Sequence, residues 1–276
     1  MVAFAGNSLL CRLALKHTAI DAASFTSIRL LSGALMLWLI DRTRRKGRFC
    51  LAGNWLSAVA LFAYAALFSY AYDTLPAAAG ALLLFGAVQT TMIGYGLCQG
   101  ERLRHRQLFG LVCALGGLAG LMMPGLSAPP FAGSMLMLGA GVAWGVYSLC
   151  AKGSGDPGSV TAGNFLRTLP LAAGLSMVMV GDASLDSAGI GYALVSGALA
   201  SGLGYVMWYA AAKAMTAASA AVVQLTVPII AAVGGIVFLE ELVTIRLLVA
   251  AVAILGGVAL FLSQGKHLRQ MVLDRT

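Results

Sequence analysis

The chain has 276 residues, 60% apolar and 10% charged, with a mean hydropathy of +0.89 and a formal net charge of +8. Soluble domains sit nearer about 45–50% apolar and about 25% charged, which excludes a soluble enzyme, a disordered chain and a nucleic-acid binder. The basic residues fall in short clusters between long apolar runs, the pattern of a polytopic helical membrane protein.

A membrane-crossing helix needs about 20 apolar residues, and the runs predict ten such spans with short loops. The first, 2–16, carries Asn7 and Arg12; no basic segment precedes it, so it is not expected to be a cleaved signal. It rises only about 24 Å against a hydrocarbon core of about 30 Å. Either it is short and packed inside the bundle, or the chain begins late. The second span, 22–40, holds Arg29 and ends at a basic loop, Asp41 to Arg48. The third, 52–72, places Tyr64 and Phe68 on one face. The fourth, 76–98, carries Gln89 and opens on Pro76, which suits a first helical position.

Gly100 to Arg106, with Glu101, leads into the fifth span, 106–123, and Pro124 to Pro130 into the sixth, 130–151. Trp144 and Tyr147 share a face of the sixth. The seventh, 160–180, holds Arg167 and Pro170; the eighth, 188–211, sets Tyr205 and Trp208 on one face. The ninth, 216–238, contains Gln224 and Pro228; Glu240 and Glu241 follow, then the tenth, 243–263, and a short tail. Prolines inside spans kink a helix and free a carbonyl, so Pro170 and Pro228 are hinge candidates. Gly116–Gly120 and Gly141–Gly145 have GxxxG spacing and are expected to pack helices within the chain. Five cysteines without a pairing pattern are expected to be small apolar filler.

With the N-terminus inside, thirteen of the eighteen Lys and Arg fall in cytoplasmic segments, two in outer ones and three within spans. That asymmetry supports ten spans with both termini cytoplasmic, and basic loops against anionic lipid. Sliding the chain by 140 residues superposes Glu101 on Glu241, Arg106 on Arg246, Leu115-Gly116-Gly117 on Leu255-Gly256-Gly257, and Ala77-Ala78 on Ala217-Ala218. Small slips bring Leu10-Cys11 to Leu149-Cys150 and Arg29 to Arg167. Two copies of five spans are an odd-numbered repeat, so the second enters the membrane from the opposite side. The expected fold is therefore all-α: ten transmembrane helices in two inverted five-helix repeats, 1–125 and 126–276. That architecture serves alternating access in secondary transporters.

The run Val222-Val223-Gln224-Leu225-Thr226-Val227-Pro228-Ile229-Ile230, then Phe238-Leu239-Glu240-Glu241, Arg246 and Leu255-Gly256-Gly257-Val258, resembles the closing motif of EamA-type carriers of the drug/metabolite transporter superfamily. Gly100-Glu101-Arg102-Leu103, Gln107, Gly110 and Leu115-Gly116-Gly117 repeat it in the first half, and Phe25 to Arg29 resembles the family's second-helix pattern. The chain departs from the pattern at Val88, the counterpart of Pro228, and lacks the opening Trp-Gly pair before Asn7. The resemblance implies ten helices and metabolite transport in a bacterial inner membrane. Within the superfamily it points to aromatic amino acid exporters.

Enzyme motifs are missing: no GxSxG, HExxH or P-loop occurs, and no span carries paired carboxylates. No enzyme activity, cofactor or metal site is expected. Arg12, Arg29 and Arg167 each face a burial cost of about 2.5–3.5 kcal/mol on insertion scales and need a partner or a cavity. Arg12 could attract a substrate carboxylate, but snorkelling to the interface, or pairing with Asp73, is the simpler reading. A packing or gate role is preferred for Arg29 and Arg167, which recur in both halves; Pro228, Glu101 and Glu241 join the structural and gating candidates. No acid lies deep in a span, which favours a facilitative carrier or exchanger over proton coupling.

Substrate-binding candidates are the polar residues at depth, Asn7, Gln89 and Gln224, and the aromatic residues Tyr64, Trp144, Tyr147, Tyr205 and Trp208. They either line a pocket or pack the bundle. An aromatic wall with a few amides suits an aromatic or other neutral amino acid, and cation–π contacts keep organic cations in view. The expected partners are a small-molecule substrate and membrane lipid, with no nucleic acid; a monomer fits and an oligomer is left open. The expected function is export of amino acids or similar metabolites. The alternatives are a multidrug, organic-cation or nucleobase exporter and, from another class, a channel.

Overall fold

The computed structural model describes residues 1–44, 52–100, 105–125, 128–150, 156–213 and 223–273, and their side chains except at 44, 209–210, 212–213 and 262–273. Glu101 lies outside these residues, as do Arg102, Arg104 and Lys152 of the basic loops. The described chain is helical throughout. Its elements are α1 (Val2–His17), α2 (Ala22–Arg44), α3 (Trp55–Thr74), α4 (Ala77–Cys98), α5 (His105–Met122), α6 (Phe131–Cys150) and α7 (Pro157–Val178). A short 3₁₀ turn (Val180–Asp182) precedes one long rod: α8 (Ser187–Val195), a π-helical segment (Ser196–Leu203) and α9 (Gly204–Lys213). Two more helices follow, α10 (Thr226–Leu239) and α11 (Ile245–Leu273).

Polar residues in the loops start these helices. An N-terminal turn leaves backbone N–H groups without helical partners, and a short side-chain acceptor supplies one. Asp21 accepts from the N–H of Ala23 and Ser24, Asn54 from Ser57, Asp156 from Ser159 and Asp186 from Gly189. Pro157 follows Asp156 as the first residue of α7, where it forfeits no bond. Pro76 is the N-cap of α4 rather than its first residue.

Five stretches are long and apolar enough to cross a membrane: Ala22–Thr43, Trp55–Thr74, Ala77–Cys98, Phe131–Cys150 and Ser187–Trp208. Thr226–Leu239 and Ile245–Phe261 are shorter apolar helices. Large apolar side chains stand outward along the bundle: Leu35 is 57% exposed, Phe109 62% and Val252 75%. Such a surface suits hydrocarbon rather than water.

α2 packs along α7, α5 along α11 and α4 along α10. α6 lies against α3 and α4; correspondingly, α1 lies against the α8–α9 rod and α10. α3 meets α7 as the rod meets α2. Exchanging the first five helical rods for the second five carries each of these pairings into another of them, whereas the contacts of α1 with α3 and α4 and of α4 with α5 and α11 have no counterpart of similar extent.

Small residues permit the close approaches. A methyl on Gly141 would stand 2.6 Å from both the Ala87 Cβ and the Leu84 carbonyl oxygen, and one on Gly145 would stand 2.9 Å from the Thr91 side chain, so the Gly141–Gly145 spacing seats α6 on α4. Gly116 and Gly120 do not behave as their spacing predicts: nothing described lies within 4 Å of either position's missing side chain. Gly110 and Gly117 face α11 instead, where Gly110 and Gly257 pass backbone to backbone.

Two helix ends and one helix type differ most from the expectation. α2 runs on to Arg44, which places Asp41 on a helix, buried and accepting from the Ser159 hydroxyl at 2.8 Å. α11 continues beyond 263 to Leu273. The eighth stretch is not a uniform α-helix but opens into the π-helical segment, whose composition of Ser, Gly, Ala and Leu carries no sequence signature for it.

Candidate functional site

Aromatic rings from α1, α3, α6, α7 and α9 meet at the centre of the bundle. Trp144 is the hub: its ring centroid lies 4.8 Å from Tyr64, 4.9 Å from Tyr205, 5.5 Å from Tyr147 and 6.0 Å from Phe4. Phe4 reaches Trp208 at 5.9 Å, Tyr64 reaches Phe68 at 5.3 Å, and Phe165 reaches Tyr205 at 5.8 Å. The tilted and edge-on geometries are those aromatic pairs favour. Five candidates read from the sequence, Tyr64, Trp144, Tyr147, Tyr205 and Trp208, are thus gathered in one cluster. Phe4 and Phe165 belong to it too; each is a single ring in an apolar run, with nothing in the sequence to distinguish it from core.

A polar strand runs along this cluster. The Asn7 amide donates to the Tyr64 hydroxyl at 3.4 Å, and its carbonyl oxygen accepts from the Ser196 hydroxyl at 2.5 Å. Arg29 donates from Nε to the Ser201 hydroxyl at 3.2 Å and from Nη2 to the Tyr64 hydroxyl at 3.3 Å. Its guanidinium stands 5.3 Å from the Tyr64 ring centroid and 4.9 Å from that of Phe68. Arg29 is 1% exposed, so it does not snorkel. It sits seven residues into α2, too far from either end for its side chain to reach an interface. Ser196 and Ser201 went unrecognised in the sequence because residues five apart do not share an α-helical face. The π-helical segment carries both and turns both hydroxyls toward the first half.

Gln89 and Gln224 are buried but stand apart from this strand. The Gln89 amide nitrogen has no hydrogen-bond partner, and no bond joins either amide to the aromatic cluster among the described residues. Gln224 lies beside a break at Leu225, one turn ahead of Pro228, where the ring of Pro228 opposes a helical carbonyl. α4, with Val88 in the corresponding place, is continuous. Pro170 lies within α7.

Arg12 is held at one end of the bundle. Its Nε meets Glu241 at 3.4 Å, and its Nη1 donates to the carbonyls of Tyr72 and Asp73 at 2.9 and 2.8 Å. The expected Asp73 contact therefore runs through the backbone, and the carboxylate partner is Glu241. Glu241 also accepts from the Ala77 N–H at 2.8 Å, and Lys16 donates to the Leu239 carbonyl at 3.0 Å. Glu240 aims this carboxylate by taking the left-handed conformation, φ 54°, as Glu241 N–H bonds back to Gly235 at 3.0 Å. The clamp joins α1, α3 and α4 to the end of α10. Glu241→Ala strands both Arg12 and the Ala77 N–H, and the expected loss is about 1–3 kcal/mol, read as a lower melting temperature in detergent. Glu240→Gly, which removes the left-handed penalty, is expected to raise that temperature slightly.

Arg167 has a different task from Arg29. It donates to the carbonyls of Ala52 and Gly163 at 2.8 and 2.9 Å, fastening the chain ahead of α3 to α7. Asn164 helps by accepting from Asn54 N–H at 3.0 Å. At the opposite end of the α2–α7 pair, Asp21 accepts from Ser184 N–H at 2.9 Å. Partial burial of the Asp21 carboxyl raises its pKa, but the Ser24 hydroxyl and the N–H groups of Ser184, Ser24 and Ala23 outweigh it and leave the group below its ordinary 3.8. A lowered carboxyl adds stability above pH 3.8 that is lost as pH falls through the folded value. Asp21→Asn is therefore expected to melt lower than the parent at pH 6 and to converge with it as the pH falls through the folded value. Melting curves over that range check it.

Among the described residues no group of three or more His, Cys, Asp and Glu side chains could hold a metal, and Cys11, Cys98 and Cys113 are free thiols.

Long apolar helices closed around buried rings, amides and one buried guanidinium define a helical membrane protein. Residues 131–263 match the sequence pattern of the EamA-like transporter family, so this part of the chain is an EamA-like domain. That family comprises membrane transporters of small molecules rather than enzymes. An uncharacterized protein of Pseudomonas aeruginosa is 56% identical over 263 residues, which span 95% of this chain and 92% of that one. A protein of known crystal structure shares the fold, with a TM-score of 0.67 at 19% identity over 94% of this chain and 95% of the other.

Proposed function

We propose that the protein is a ten-span secondary transporter of the bacterial inner membrane that moves amino acids, aromatic or otherwise neutral, out of the cytoplasm by alternating access. The halves 1–125 and 126–276 are inverted repeats, with both termini cytoplasmic. The observation that carries this reading is the central cluster, to which helices of both halves contribute rings and polar groups at the seam where a transporter binds its solute. The main helix pairings, which map onto one another when the halves are exchanged, support the repeat. The asymmetry of Lys and Arg supports the orientation.

On this reading the Arg12–Glu241 clamp closes the outer end, and the solute enters from the cytoplasm. The resemblance within the superfamily to the aromatic amino acid exporter YddG and the ring-lined centre both favour an aromatic solute. No acidic side chain adjoins the central cluster among the described residues, which supports facilitation or exchange over proton coupling.

The test is counterflow in proteoliposomes against a panel of amino acids, nucleobases and organic cations, with and without an imposed pH gradient. Saturable exchange of neutral amino acids that ignores the gradient is expected. Uptake driven by the gradient alone overturns the uncoupled mechanism, and single-channel currents overturn the carrier.

A further inference from the structure

Arg29 is a full charge, 1% exposed, a third of the way along a long apolar stretch. Its described neighbours are neutral: the hydroxyls of Ser201 and Tyr64 and the ring faces of Tyr64 and Phe68. No carboxylate pairs with it; the one ion pair among the described residues joins Arg12 to Glu241. One arm of the fork, Nη1, is buried without a hydrogen-bond partner. A buried charge is ordinarily paired, since ring faces and hydroxyls offset only part of its lost hydration. The contrast with the other arginines is informative. Arg12 has its donors on Glu241 and two carbonyls, and Arg167, the repeat counterpart of Arg29, has an arm on two carbonyls. Arg29 alone of the three holds a buried, unused donor, and it lies beside the aromatic hub.

We propose that Arg29 binds the carboxylate of the transported solute, whose apolar or aromatic body lies against Tyr64, Trp144 and Tyr205. The inference rests on the transporter reading and narrows its substrate class to monocarboxylates of amphipathic build. Two parallel N–H groups of a guanidinium match the two oxygens of a carboxylate. Ser201 and Tyr64 each take one hydrogen, of Nε and Nη2, and so orient the fork, leaving Nη1 and the second Nη2 hydrogen to the ligand. The Trp144 ring is in contact with Tyr64, 4.8 Å between centroids, so a solute anchored at Arg29 has a ring surface within reach. The anion supplies the charge the protein lacks, and the solute thereby becomes part of the packed centre.

The test compares phenylalanine, 3-phenylpropionate (no amine) and phenethylamine (no carboxylate), read both as exchange in proteoliposomes and as the ligand-induced rise in melting temperature. The parent is expected to prefer the two carboxylates by at least about tenfold. Arg29→Gln is expected to erase that preference and the thermal shift. Its melting temperature without ligand should stay level or rise, because the variant relieves an unpaired buried charge. Arg29→Lys keeps the charge without the fork and should retain a weakened preference. A carboxylate preference that survives Arg29→Gln overturns the proposal, as does a ligand-free melting temperature that falls sharply in both variants, the mark of a purely structural arginine. Exchange of panel members with no carboxylate preference in the parent sinks Arg29 as the anchor while leaving a transporter. If nothing in the wider panel moves or binds, the transporter reading itself fails.

Discussion

Gly197→Ala is expected to disable the protein, although it adds one methyl group. That methyl would collide with the Arg29 carbonyl oxygen and the Ser32 hydroxyl, and would stand 2.8 Å from the Arg29 carbonyl carbon. A hydroxyl can rotate away; a helical carbonyl cannot. The π-helical segment must therefore retreat from α2, carrying Ser201 off Arg29. Overpacking of this kind costs about 1–3 kcal/mol, and here the displacement falls on the central site. Melting temperature in detergent and exchange in proteoliposomes should both drop. Gly116→Ala is the control: no described residue lies within 4 Å, and alanine is favoured in a helix by about 1 kcal/mol. It should melt at or slightly above the parent and transport normally. Equal behaviour of the two variants would show that the α2 contact at Gly197 is not tight.

Trp144→Ala should produce the largest loss among the aromatic variants. The indole is 4% exposed and touches Phe4, Tyr64, Tyr147 and Tyr205, so removing it opens a cavity bordered by four rings. Buried Trp→Ala changes cost about 3–5 kcal/mol, and each aromatic pair lost adds about 0.5–1.5 kcal/mol beyond its area. Exchange should fall at least about tenfold, with the affinity for aromatic solutes weakened more than that for small ones. Trp144→Phe keeps a ring in place and should recover much of the stability and part of the exchange. Unchanged selectivity in Trp144→Ala would reduce the cluster to packing. Gln224→Ala, at a residue apart from the cluster, should change selectivity far less.

The aromatic candidates were legible because residues three or four apart share a helical face, and Trp144–Tyr147 and Tyr205–Trp208 have that spacing. The same rule concealed Ser196 and Ser201, which only a π-helical turn presents together. It also misled at Gly116 and Gly120, since spacing specifies a face and not what that face meets. For the arginines, residue type announced a burial problem but not its solution. Arg12 found Glu241, 229 positions away in the chain, Arg167 found the backbone ahead of α3, and Arg29 found two hydroxyls. Long-range pairing of this kind leaves no periodic trace.

Composition and hydropathy alone dictated an all-helical apolar chain and its element order, because hydropathy acts locally and helices satisfy their own backbone. Which polar groups lie unpaired at the centre was decided by tertiary structure, because hydrogen bonds and close approaches depend on helices distant in sequence arriving within a few ångströms of one another.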